Sequence, residues 1–108
     1  MTHARVMLVR RAPEAGAVGD LLDCLHHWAV ADGSGLIFFH ADAVLWPDRL
    51  VVERLPVGSL QLVLCSASWQ RRRSGPPPDP FVLGSLVQFW HAVAQADQVC
   101  SMGVGGHD

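Results

Sequence analysis

Charged residues are scarce in this chain: Asp, Glu, Lys and Arg make up 17% of its 108 residues, against about 25% in typical soluble domains. Half of the residues are hydrophobic. A chain of this length forms one domain with a large surface for its volume. A charge-poor surface of that size predicts cover by other subunits. The net charge of -2 gives no basic footprint for nucleic acid or for a membrane face. No apolar run approaches the roughly 20 residues of a membrane span. The opening MTHARVMLVRR lacks the apolar core and small-residue cleavage site of a secretory signal. Cysteine is limited to Cys24, Cys65 and Cys100, far apart and odd in number, which does not build a disulfide framework. A cytoplasmic location with free thiols is the expectation.

Ligand motifs are missing too. RAPEAGAVG, residues 11–19, has neither the three-glycine dinucleotide pattern nor the glycine–lysine phosphate loop. It reads as a turn, and nucleotide binding there is the weaker alternative. His26 and His27 are adjacent, so on a helix they diverge by about 100° and do not share a metal. No further ligands stand at zinc spacing. No metal is expected.

What is present is an alternation of strands and helices. Arg5–Val9, Leu36–His40, the run from Leu60 into Cys65, and Asp97–Ser101 read as strands. A fifth strand is suspected. Asp20–Ala31 reads as a helix, with Leu21, Leu25 and Trp28 on one stripe and Cys24 beside them. Cys24 there reads as a small core residue. Phe81–Ala96 reads as a second long helix, with Leu83, Leu86, Val87, Trp90 and Val93 or Ala94 as a helical apolar stripe. His91 reads as a surface or capping residue. Cys100 lies buried or near the sheet edge. Pro47 forbids a continuous helix through ADAVLWPDRL. Trp46 is core, a lid over the Cys65 edge, or an interface anchor. Leu50–Leu55 forms a short helix or an extended segment. SGPPPDP is a stiff loop, and the glycine-rich tail over 103–108 is expected to fray. The pattern predicts a single-domain, three-layer α/β/α fold with a largely parallel sheet of four to five strands.

The chain is organised around Leu60–Arg73, LQLVLCSASWQRRR. The strand runs straight into Cys65, and small residues follow. Cys65 therefore stands where a strand ends and a helix or turn begins, the edge where ligands collect in open α/β sheets. A helix dipole and the guanidinium groups of Arg71, Arg72 and Arg73 favour the thiolate. Ser66, Ala67 and Ser68 leave room for a visiting thiol. Cys65 is equally readable as one more buried residue at a strand end. The three arginines support a thiolate, dock an acidic partner, or are a solvated run. Trp69 stands among polar residues and reads as an interface anchor in preference to core.

These residues resemble the DsrE/TusD group of sulfur-relay proteins. LQLVLCSASWQRR resembles that family's strand, cysteine, small-residue and arginine segment, with Cys65 at its sulfur-carrying position. FFHADAVLWPD, from Phe38 to Asp48, is similar to its second strand and following loop. Phe81–Val99 is similar to its last helix and strand. The stretch between the second strand and Cys65 is shorter than the family's, and RAPEAG differs from its usual turn. Only Cys65 is carried across as functional. The resemblance implies a persulfide carrier that uses no cofactor and works as a homo- or hetero-oligomer, trimeric or hexameric. Its implied acceptor is a small carrier protein with a C-terminal cysteine, in sulfur oxidation or tRNA thiolation. The family also contains subunits without the cysteine, which only assemble.

Overall fold

The structure is a computed structural model, and it describes residues 5–30, 34–50 and 60–102. In chain order these form β1 (Arg5–Val9), α1 (Ala15–Val30), β2 (Gly35–Phe39), a 3-10 turn (Ala41–Leu45), α2 (Trp46–Leu50), β3 (Leu60–Cys65), α3 (Ser66–Arg72), β4 (Phe81–Gly84), α4 (Leu86–Gln95) and β5 (Gln98–Met102). The five strands make one sheet in the order β4-β3-β2-β1-β5, and every pairing is parallel. Leu50–Leu55, apart from Leu50 at the end of α2, and the tail over 103–108 lie outside the described residues. No helix among the described residues is long and apolar enough to cross a membrane.

The order fixes where the helices go. From β1 to β4 each connection steps one strand in the same direction, and right-handed crossovers keep those helices on one face. The return from β4 to β5 crosses back and carries α4 to the opposite face. Contacts agree with this. Trp28 of α1 lies over Gly35, while Phe89 of α4 stacks on Phe38 at 4.8 Å between ring centroids. Gly35 and Phe38 differ in strand parity, so they point to opposite sides. The sheet is thus buried on both faces near its middle, which is why β2 is apolar and buried throughout.

Two expectations are corrected. Residues 15–19 are helical, so α1 starts five residues before Asp20, just after Pro13. Phe81–Gly84 is not the start of a helix but the fifth strand, paired from Phe81 opposite Leu62 to Gly84 opposite Cys65. Its helix begins only after Ser85, where a capping box forms: the Gln88 N–H donates to Ser85 Oγ and the Ser85 N–H donates to Gln88 Oε1. The apolar stripe of α4 is exposed at its centre and packs on the core through Val93. Val87 and Trp90 are 66% and 60% exposed, and Phe89 is the helix's buried residue.

Gly84 closes β4 where a side chain has no space. A Cβ there would stand 2.6 Å from Val63 Cγ1 and 3.2 Å from the capping Gln88 Oε1. Gly84→Ala is expected to cost about 1–3 kcal/mol, read as a lower urea midpoint at unchanged slope. An unchanged midpoint would show that β4 shifts freely.

Candidate functional site

Cys65 is the last residue of β3 and the N-cap of α3. The apolar run that makes β3 a buried strand therefore delivers the sulfur to the carboxyl edge of the sheet, as its sequence position implies. Its exposure differs from the expectation of an open rim. Cys65 is only 2% exposed and belongs to the main core cluster. The residue reaches the expected edge, but packing closes over it.

α3 is strapped to the segment that follows β2. The Ala41 N–H donates to Ser68 Oγ at 3.1 Å, and Ser68 is fully buried. Ala41 holds a left-handed conformation, φ 56°, uncommon for a residue with a side chain. Arg72 donates through Nη2 and Nε to Asp42 Oδ1 at 2.9 and 3.2 Å, and Arg73 pairs with Asp48. The sequence reading offered all three arginines as thiolate supports or docking groups. Two of them are engaged with carboxylates, which offsets their charge locally. Arg71 is exposed and has no ion pair among the described residues.

Trp69 is corrected from interface anchor to core. It is 5% exposed, and its indole N–H donates to the Gly75 carbonyl at 2.9 Å. Gly75 takes φ 79°, a conformation that glycine adopts at no steric cost. Polar sequence neighbours misled here, because the helical phase of α3 turns Ser68 and Trp69 inward together. Trp46 is also core, at 0% exposure. The other thiols are half-buried. Burial first, then Asp20 and Asp23, raise the Cys24 thiol above its ordinary range. Burial first, then Cys24, raise Cys100. Both effects hold the neutral thiol, the less reactive form. His26 and His27 are exposed on α1. Among the described residues no group of three His, Cys, Asp or Glu is placed to hold a metal.

The edge carries residues that were not singled out from sequence. Val9, Phe39 and Leu64 are register partners across β1, β2 and β3. One residue further on stand Arg10, His40 and Cys65. The His40 N–H still donates to the Val9 carbonyl at 3.0 Å, and His40 is extended, φ -124° and ψ 151°. Burial, then the Arg10, Arg71 and Arg72 charges, lower the His40 imidazole below its ordinary pKa of 6.5. Finding this row required the strand order. In the sequence, His40 is only the polar end of an apolar run.

No family model matches the sequence, and no curated protein matches it. Among solved structures, the crystal structure of the ychN protein from E. coli matches with a TM-score of 0.65 and 18% sequence identity, covering 94% of this chain and 100% of that one. At that identity the likeness is one of fold, and the fold is DsrE-like.

Proposed function

We propose that this chain carries sulfane sulfur as a persulfide on Cys65 and hands it to a partner protein. The observation that carries this reading is the placement of a free cysteine at the junction of β3 and α3, on the carboxyl edge of a parallel sheet in a DsrE-like fold. Ligands collect at that edge in open α/β sheets. The chemistry needs a nucleophilic sulfur and a good leaving thiol, and it follows the rules of thiol exchange. The acceptor would be a small carrier protein with a cysteine near its C-terminus, in sulfur oxidation or tRNA thiolation. Oligomerisation with like subunits fits the exposed apolar residues Val82, Leu83, Leu86, Val87 and Trp90.

A second reading has its own support. The 2% exposure of Cys65 is what a structural subunit that carries no sulfur would show. Transfer through Cys65 therefore needs a local opening at the β3–α3 junction.

One experiment separates the two. The protein is incubated with a polysulfide donor, and each cysteine-bearing peptide is weighed. Wild type is expected to gain sulfur mass at Cys65, and Cys65→Ser to lose that gain completely. Wild type that gains nothing at Cys65 while unfolded protein loads readily would establish the structural reading.

A further inference from the structure

We propose that His40 is the proton acceptor for Cys65. The inference deepens the persulfide reading and rests on it for its biological meaning, though its test does not require sulfur transfer.

The register provides the juxtaposition. β2 and β3 are adjacent and parallel, with Phe39 opposite Leu64. His40 and Cys65 are the next residues on each strand, and neighbouring strands lie about 4.8 Å apart. Cys65 also continues the ladder on its other side, opposite Gly84. Strand alternation gives His40 and Cys65 the parity of Phe38 and Val63, so the two side chains leave the sheet on the same side. The backbone around His40 is fixed from both directions: its N–H is bonded to Val9, and its carbonyl accepts from the Ala43 N–H at 3.1 Å. The next residue, Ala41, is tied to Ser68 of α3. His40 is therefore held in place at the edge and does not swing on a loop.

The charges around it set the direction of proton flow. Arg10 follows β1, and Arg71 and Arg72 stand on α3; all three act on His40. Asp42 takes part of the Arg72 charge. Arg10 and Arg71 have no ion pair among the described residues. Burial first, and then these guanidinium groups, hold the imidazole below its ordinary pKa and so favour its neutral form, the form that accepts a proton. Once protonated, the imidazolium is repelled by the same groups and gives its proton up readily.

The step balances. As the Cys65 sulfur attacks the outer sulfur of a persulfide donor RS–SH, the Cys65 S–H bond breaks and its proton passes to His40. A new S–S bond forms on Cys65 and the donor's S–S bond breaks. The leaving RS⁻ takes the proton from His40, so Cys65–SH and RS–SH become Cys65–S–SH and RSH. No external oxidant or reductant enters.

The test is the pH profile of Cys65 alkylation by iodoacetamide, read by mass at the Cys65 peptide so that Cys24 and Cys100 do not contribute. In wild type the rate is expected to rise through a range below the ordinary imidazole pKa. In His40→Gln the low-pH limb should vanish, with a rate at pH 7 lower by about tenfold or more. Added imidazole should restore the rate in His40→Ala, which a purely structural role would not produce. A His40→Gln profile that superimposes on wild type would overturn the proposal, even if His40→Ala fails to fold. Failures remain distinguishable: a shifted profile with no sulfur loading removes the carrier function alone, and loading on Cys65 with an unshifted profile removes His40 alone.

Discussion

Trp46→Ala is expected to be among the most damaging single changes in this chain, lowering stability by about 3–5 kcal/mol. Trp46 leads the largest fully buried side chains, at 0% exposure. It begins α2, with Pro47 in the first turn where a missing N–H costs nothing. Its indole N–H donates to the Arg11 carbonyl at 2.7 Å, which ties the connection after β2 to the chain leaving β1. Truncation removes the packing and leaves that carbonyl without its donor. Domains of this size are stable by about 5–15 kcal/mol, so the variant would sit near the limit of folding. Urea denaturation checks it, with a fall in midpoint at unchanged slope. Trp46→Phe should fall between the two, because it keeps much of the volume and loses the N–H. A loss under about 1 kcal/mol in Trp46→Ala would show that the segment repacks and that this anchor does not hold the edge together.

That anchor was ambiguous in the sequence, and the reason is general. Trp46 lies between a strand and a proline, a context that suits core, lid and interface alike. β3 and Cys65 were legible because the signal is local: an apolar run, a cysteine, then small residues that permit a helix start. β4 was not, since Phe81–Gly84 merges into the apolar pattern of α4, and a short apolar run is the same for a strand or a buried helix turn. Ser85 and Gln88 held the missing punctuation, as a capping box three residues apart. Trp69 was misplaced because its sequence neighbours are polar while its helix phase is inward. The Arg10–His40–Cys65 row was out of reach, because it exists only once β1, β2 and β3 are known to be adjacent and in register. The burial of Cys65 could not be read either, since what closes over a strand end is set by distant elements.

The exposed apolar stripe on α4 leads to the second large effect: Val87→Glu combined with Trp90→Glu is expected to break an oligomer apart. Val87 and Trp90 are 66% and 60% exposed, with Val82 at 52% on β4 and Val99 at 49% on β5, the two edge strands of the sheet. On α4 the two residues are three apart and so share a face. A large exposed apolar patch on a domain marks an interaction site more often than open surface, and tryptophan is among the residues that dominate interface energetics. Removing such an anchor costs about 2 kcal/mol or more, roughly thirtyfold in affinity, and a buried carboxylate adds its own desolvation cost. Sedimentation equilibrium of wild type should give a mass that is a multiple of 11.7 kDa, and the double variant should give the single-chain mass with its far-ultraviolet circular dichroism intact. Wild type that sediments at the single-chain mass at micromolar concentration would show that this face is simply open to water. An oligomer that survives both substitutions would place the contact elsewhere, and the charge-poor composition would then need cover from another part of the surface.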